Sequence, residues 1–506
     1  MFTGSLPHRH AVIISSGDEI IVGQLLDTNA QWIAQRLMDV GVVPLEHVTV
    51  PDDQSAAAAA IRGACGIASL VVMSGGLGPT DGDLTRAALA EVLGDALVVD
   101  TVALASLHAL LKSRGREISA RQERQAQRPE SATCLPNAYG TAPGLHAVVL
   151  GGVGEDATKR GGDGADVFCL PGPPGELRPM FEREVMPRIR RDVSRAVVTR
   201  LAHIVGLAEA DAVARLGDLT RRDRNPLVGI TASSGILTLR MRCEVNPGQS
   251  ELTARPAEAA DSAGAAASLD AAEARARSVL GDHFFASQGE DPAIGGIGWQ
   301  ELVRAVLKLL TSRGEMLSVV ESCTGGMLGE FVTSLPGSSA AFIGGWVTYA
   351  NSMKEMLGVN PQTLRRHGAV SPETAQEMAA CGLARSQVNR CCGEQQGPIG
   401  VGDGRWCLSI TGIAGPDGGT ASKPVGTVYI GLAGPSTGTD AGAAAASSEE
   451  RQAMTSQVEV RRFAFGGDRE DIRRRAAVSA LSMLYFRLRG GSIGSPRLLW
   501  ETGIFR

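Results

Sequence analysis

Met316-Leu317-Ser318-Val319-Val320-Glu321-Ser322-Cys323-Thr324-Gly325-Gly326 joins an apolar run to an abrupt polar stop and two glycines. The run predicts a buried strand, the glycines a tight turn, and Met327-Leu328-Gly329-Glu330-Phe331-Val332 the start of a helix. Strand, turn and helix in that order belong to a sheet covered by helices, so the stretch points to an α/β fold. It also sets Ser322 at a helix N-terminus, where unpaired N–H groups and the helix dipole favour negative charge. Two roles fit a serine there: an ordinary N-cap, or a nucleophile whose oxyanion the helix end stabilises.

Upstream, Glu301 to Arg313 carries an apolar stripe (Leu302, Val303, Val306, Leu307, Leu310) and stops at Gly314, which predicts an amphipathic helix. Downstream, Ala340 to Tyr349 reads as a strand and Asn351 to Leu357 as a helix. Tyr349 and Lys354 are five apart, about 140° around a helix, so they share no helical face. They converge if Tyr349 ends the strand and Lys354 lies in the first helical turn. With Asn351 as cap, Lys354 would be third in the helix, where the dipole opposes its charge and favours the neutral amine. A surface lysine is the plainer reading. Trp406 to Thr411 reads as a further strand, running into the glycine-rich Gly412-Ile413-Ala414-Gly415-Pro416-Asp417-Gly418-Gly419.

The N-terminal part repeats the alternation. Strands at Ala11–Ser15, Val42–Val50 and Ser69–Met73 are separated by helices. The third runs into Ser74-Gly75-Gly76-Leu77-Gly78-Pro79-Thr80-Asp81-Gly82-Asp83. This loop is neither a P-loop nor a full dinucleotide fingerprint. Gly75, Gly76, Gly78 and Thr80 fit a phosphate cradle as well as a tight turn. Asp52 and Asp83 fall at the same sheet edge and could share a divalent metal ion, or be solvated loop acids.

Residues 193–290 read as a small α+β connecting module without a concentration of reactive side chains, and the alanine-rich 254–268 as a flexible loop. The expected division is 1–192, 193–290, 291–490 and a tail at 491–506 without a readable signal. Surface insertions are expected at 151–166, 386–404 and 435–457. The arginine runs Arg188 to Arg191 and Arg473 to Arg475 read as solvated helix faces.

At 506 residues the chain exceeds one core. A hydrophobic content of 43% and a mean hydropathy of +0.02 fit soluble material, and no apolar run is long enough to cross a bilayer. The net charge of −5 argues against a nucleic-acid binder. Nine scattered cysteines, with only Cys391 and Cys392 adjacent, match neither a disulfide framework nor a zinc site. With no room for a targeting peptide before Ala11, a cytoplasmic location is expected, with small-molecule nucleotides and a second copy of the chain as partners rather than a membrane.

Together these motifs resemble the CinA family of competence/damage-inducible proteins. The C-terminal matches are Glu321-Ser-Cys-Thr-Gly-Gly326, Pro336-Gly-Ser-Ser339, Thr348-Tyr-Ala-Asn351 with Lys354, His367-Gly-Ala-Val-Ser371, Thr411 to Gly419, Lys423-Pro-Val-Gly-Thr427 and Gly467-Asp-Arg469. This part is most similar to nicotinamide-nucleotide amidase. The resemblance implies deamidation of nicotinamide mononucleotide (NMN), part of pyridine-nucleotide salvage, to nicotinate mononucleotide and ammonia without a cofactor. Ser322, Tyr349 and Lys354 would be catalytic. Thr324, Gly325, Gly326, Thr411, Gly412, Gly415, Asp417 and Arg469 would bind substrate, Arg469 its phosphate. The N-terminal part resembles the family's molybdenum-cofactor-binding-like (MoCF-like) domain, in Gly23-Gln24 with Thr28-Asn29, Gly75 to Thr80, Gly140 to Gly144 and Leu170-Pro-Gly172. Some members hydrolyse ADP-ribose there with a metal ion. This chain has Gly82 where the first of two paired acids is expected. The implied fold is two three-layer α/β/α domains with a small α+β connecting module. A metal-dependent ADP-ribose pyrophosphatase and a non-catalytic nucleotide-binding protein are the alternative readings.

Overall fold

Alternate residues along the first strands are buried on opposite faces of one sheet, and that alternation builds the N-terminal layers. The computed structural model describes residues 7–150, 164–190, 196–245, 257–288, 298–387, 405–435 and 458–505. Two compact units result: 1–198 with 244–266, and 199–243 with 267–506.

In the first unit, β1 (His10–Ser16), β2 (Val43–Val50) and β3 (Leu70–Ser74) join β6 (Thr133–Leu135), β7 (Gly144–Val149) and β8 (Ala165–Leu170) in the order β2-β1-β3-β8-β7-β6, while β4 (Leu97–Val99) and β5 (Gln127–Pro129) form a separate antiparallel pair. The pairs among β2, β1, β3 and β8 are parallel, while β7 and β6 run antiparallel. Val12, Ile14, Val71, Met73, Val167 and Cys169 face helices α2 (Gln54–Ile67) and α3 (Thr85–Leu93). Ala11, Ile13, Leu70, Val72, Phe168 and Leu170 face α1 (Thr28–Asp39) and the segment from Leu177 to Ile189. Both faces are therefore covered, as the near-continuous apolar strands require.

The expected insertion at 151–166 overlaps β8. Residues 151–163 lie outside the described residues, but Asp166 is a core residue. Its carboxylate meets His8 at 3.0 Å, His146 at 2.7 Å and Arg190 at 2.5 Å. Arg190 is thus no solvated face; it helps neutralise a buried carboxylate. The other two expected insertions, apart from 386, 387 and 435, also lie outside the described residues.

The second unit carries the small module, a four-stranded sheet β10-β11-β9-β12 formed by β9 (Ala196–Val205), β10 (Leu227–Ser233), β11 (Ile236–Val245) and β12 (Phe284–Ser287). The stretch expected as a flexible loop belongs, from Ala257, to one long helix, Ala257–Leu280. Alanine is the best helix former, and Leu269, Ala272, Ala276 and Leu280 are buried. The module does not stand alone. Val205, Ile236, Phe285 and Ala286 share one core with Leu302, Val306, Leu317 and Leu484 of the following domain.

That domain is a six-stranded sheet, β14-β13-β15-β16-β17-β18, with β13 (Met316–Glu321), β14 (Phe342–Val347), β15 (Arg405–Gly412), β16 (Thr427–Ala433), β17 (Val458–Ala464) and β18 (Glu501–Phe505). Strands β14, β13 and β15 are parallel, and the remaining pairs antiparallel. Helices Gly298–Arg313 and Arg469–Leu488 cover one face, and Pro372–Gln387 packs on the other. The residues set apart as a tail supply β18, an edge strand. Arg461, fully buried, meets Glu459 at 2.6 Å and Glu501 at 2.9 Å and so ties β18 to β17.

At the adjacent carboxyl ends of β13 and β15 the chain departs in opposite directions, from β13 towards β14 and from β15 towards β16. A crevice at such a point is where parallel sheets bind ligands. Ser322 is the first residue beyond it.

Arg461→Ala strands two buried carboxylates, and a loss of about 3–5 kcal/mol is expected. Equilibrium urea unfolding, read as the midpoint shift of the C-terminal unit's transition, checks it.

Candidate active site

Glu321, not Ser322, serves the helix that follows. Its buried carboxylate accepts hydrogen bonds from the N–H groups of Gly326 (3.1 Å), Leu328 (3.0 Å) and Gly329 (2.8 Å) at the start of Met327–Thr333. The cap position is Gly326, with φ of 98°. A carboxylate at a helix N-terminus satisfies both the unpaired donors and the dipole. Ser322 is thereby released from the capping role open to it by sequence.

Its hydroxyl has a different partner. Ser322 N–H donates to Ile410 O (2.9 Å), which continues the ladder one residue past β13 and fixes the serine backbone. Lys354 Nζ lies 3.1 Å from Ser322 Oγ, 2.7 Å from Thr348 O and 3.3 Å from Tyr349 O. Lys354 is 1% exposed, and burial lowers its pKa. Lys354 forms no ion pair with an acidic side chain among the described residues.

The cause of that shift differs from the one expected. Ala350 is the cap and Asn351 the first helical residue. Desolvation, rather than the helix dipole, disfavours the ammonium.

A neutral amine has two N–H donors and one lone pair. The carbonyls of Thr348 and Tyr349 can take both donors, which leaves the lone pair for the Ser322 hydroxyl. Thr348 is itself fixed, its N–H bonded to Glu321 O at 2.7 Å. The neighbouring Cys323 is not an alternative nucleophile, because burial pushes its thiol up to about 12.

Tyr349 joins the site differently from the expectation. It is 61% exposed, and its phenol oxygen accepts from Arg469 Nη2 (3.1 Å), whereas its backbone carbonyl meets Lys354. Arg469 Nη1 also donates to Gly415 O (2.6 Å). Serine, lysine, tyrosine, arginine and the second glycine loop thus form one connected set.

Among the remaining residues expected to bind substrate, Gly325 N–H is bonded to Ser322 O and Gly326 N–H to Glu321. Neither is free for an oxyanion. The N–H of Thr324 carries no acceptor among the described residues, while that of Cys323 faces its own sulfur. Thr324 Oγ1 is buried and unpaired. Thr411 Oγ1 holds Ala369 O (2.6 Å), and Gly412 is paired with Val428. Asp417 is exposed.

Two contributors are not among the residues expected from sequence. Glu321 lies inside the strand-end motif and caps the helix after it. Arg473, expected on a solvated face, donates from Nη2 to Thr324 O at 2.7 Å and braces the serine loop. Its spacing of four from Arg469, which puts both on one helix face, was the available signal.

The N-terminal loop is held by its own residues. Asp83 accepts from Gly78 N–H (2.6 Å), Thr80 N–H (2.7 Å) and Thr80 Oγ1 (2.6 Å). Arg86, largely buried, donates to Leu77 O and Gly78 O, both at 2.6 Å. A Cβ on Gly75 would stand 2.4 Å from Ser16 O, so that position requires glycine. Asp52 lies against Ser16 Oγ (3.4 Å), and its pKa is raised by burial and by Asp18. Asp81 pairs with Arg121 and Arg124, both at 3.5 Å. No group of three or more His, Cys, Asp or Glu among the described residues is arranged to hold a metal ion. Asp52 and Asp83 belong to no such group among the described residues.

Residues 299–458 match the family of the CinA C-terminal domain, and residues 12–191 the family described as "Probable molybdopterin binding domain". A CinA-like protein of Anaeromyxobacter sp. (strain Fw109-5) is 36% identical over 482 residues, 95% of this chain and 99% of that protein. A CinA-like protein of Kosmotoga olearia is 33% identical over 475 residues, 94% and 98%. Among solved structures, the competence/damage inducible protein CihA of Agrobacterium tumefaciens is 34% identical, covering 39% of this chain and 99% of that one, with a TM-score of 0.30. No helix of the described residues is long and apolar enough to cross a membrane.

Glu321→Ala leaves three N–H groups at the helix end without an acceptor and is expected to cost about 3 kcal/mol, against under about 1 kcal/mol for Ser322→Ala. Thermal unfolding of the two variants side by side decides which residue caps the helix.

Proposed function

The chain belongs to the CinA family, and on that premise we propose that its C-terminal domain is a serine amidohydrolase that deamidates NMN. The observation that carries this reading is the buried Lys354 amine, without an acidic partner, 3.1 Å from Ser322 Oγ. A serine becomes a nucleophile when an adjacent base can take its proton.

In the proposed cycle Lys354 takes the Ser322 proton as Oγ bonds to the carboxamide carbon. Negative charge gathers on the carboxamide oxygen, where the N–H group of Thr324 is available to receive it. Lys354 then gives its proton to the departing nitrogen, and ammonia leaves. A water molecule, deprotonated by Lys354, opens the resulting ester to release nicotinate mononucleotide and restore Ser322. The Arg469 guanidinium is the proposed anchor for the phosphate, a task that suits its forked donors. Tyr349, bonded to Arg469 and exposed, orients that group instead of relaying the serine proton.

No observation favours pyrophosphate hydrolysis by the N-terminal unit. Asp83 is engaged by its own loop, Asp81 by arginines, and Gly82 offers no carboxylate.

Ammonia release from NMN by the purified chain is the expected result, and Ser322→Ala should lower kcat/KM by about a thousandfold or more. Absence of release by the native chain, or its survival in the variant, would overturn the reading. The pH profile is a separate check. Only the neutral amine can accept a proton, so kcat/KM should rise with pH and level off above the folded pKa of Lys354, below the ordinary 10.5. The same shift makes stability rise with pH between the folded and unfolded pKa values, because the unfolded chain holds the extra proton there. Lys354→Met should flatten both profiles.

A further inference from the structure

The last residues of the chain touch the segment that presents Arg469. That segment, Phe465-Gly466-Gly467-Asp468, links β17 to the helix Arg469–Leu488. Two consecutive glycines give it little stiffness of its own, and Gly467 has φ of 98°. Something must hold it if Arg469 is to present a fixed guanidinium.

Trp500 is positioned to do so. It lies one residue before β18, with φ of 64°, a conformation uncommon in any residue but glycine. Its carbonyl accepts from Ala464 N–H at 3.0 Å. Its ring meets Phe465 edge to face, centroids 5.6 Å apart at 72°. The Arg475 guanidinium lies over the same ring at 5.0 Å, and Arg475 Nη1 donates to Gly466 O. One indole thus contacts the residue on one side of the glycine pair and orients the arginine that holds the carbonyl of the first glycine.

The strap that carries Trp500 is itself anchored. Arg461 Nη1 donates to Pro496 O (2.8 Å) as well as to Glu501, and Leu498 N–H donates to Glu501 at 3.0 Å. Leu498 is buried in the domain core. The ring also packs on the domain core and against Gly235 at the β10–β11 turn, and its directed contacts are with Phe465 of the Arg469 link and with Arg475.

We propose that residues 495–505 form an intramolecular strap in which Trp500 is a positioning residue for Arg469, setting the grip of the site on a phosphate-bearing substrate. This rests on the amidase reading, with Arg469 as the phosphate anchor. The strap acts through the arginine, so it governs affinity for the phosphorylated substrate and leaves the Ser322–Lys354 chemistry alone.

The test compares the full chain with Trp500→Ala and Trp500→Phe. Hydrogen exchange of the amides from Gly466 to Arg469 should quicken about tenfold in Trp500→Ala, and KM for NMN should rise about tenfold, with kcat within about twofold. KM for the same nucleoside without its phosphate should stay unchanged, and Trp500→Phe, which keeps an aromatic face, should restore both. Arg475→Met, which keeps Trp500 but loses the bond to Gly466, should reproduce the KM effect. Unchanged exchange, or an equal loss on both substrates, or exchange that quickens over the whole sheet, makes Trp500 a packing residue and overturns the proposal. If the native chain releases no ammonia, the amidase reading fails on that ground, and exchange at Gly466 to Arg469 still upholds or overturns the strap.

Discussion

The geometry around Ser322 depends on where one carboxylate is placed. A helix that starts beside a buried strand brings N–H groups that need an acceptor, and a serine at that point would ordinarily be recruited to supply one. Here Glu321 takes three of them from the last position of β13. The helix end is satisfied and the Ser322 hydroxyl faces Lys354. The same buried strand end that holds Glu321 O against Thr348 N–H fixes the carbonyl that binds Lys354. Capping, strand pairing and lysine placement are therefore one construction.

Two glycine loops, the one from Ser74 to Asp83 and the Gly325-Gly326 turn beyond β13, show how similar local sequence leads to different sites. Both follow a parallel strand and precede a helix. In the N-terminal loop the nearby acid, Asp83, turns back onto Gly78 and Thr80, and Arg86 holds the other carbonyls. The loop satisfies itself. In the C-terminal loop the acid lies before the serine instead of after the glycines, so the polar group left at the sheet edge is a hydroxyl with a base beside it.

Burial does much of the electrostatic work around the serine. A lysine at the surface would be an ammonium with no lone pair to offer. Lys354, enclosed and without an acid, meets only carbonyls and the hydroxyl, and desolvation lowers its pKa. The opposite arrangement at Arg461, a cation between two buried carboxylates, serves structure and secures the last strand. One buried cation has acidic partners, and the other has none among the described residues.

Much was legible without coordinates. Apolar runs of strand length alternating with helical stripes determined the α/β class, because a strand buried on both faces must be apolar throughout. The resemblance to the CinA family grouped Ser322, Tyr349, Lys354 and Arg469 as one expected set. Composition misled only where it stood in for context, as at the alanine-rich stretch that lies largely within the helix Ala257–Leu280, whose buried face only packing reveals. Tertiary structure alone decided which residue caps the helix after β13, that Tyr349 meets Arg469 by its phenol, that Arg473 and Arg475 brace loops instead of facing solvent, and that the final residues form a strand. These are contacts between residues distant along the chain, and they depend on competition for acceptors. A sequence names the donors and acceptors, but distance and burial decide which of them pair.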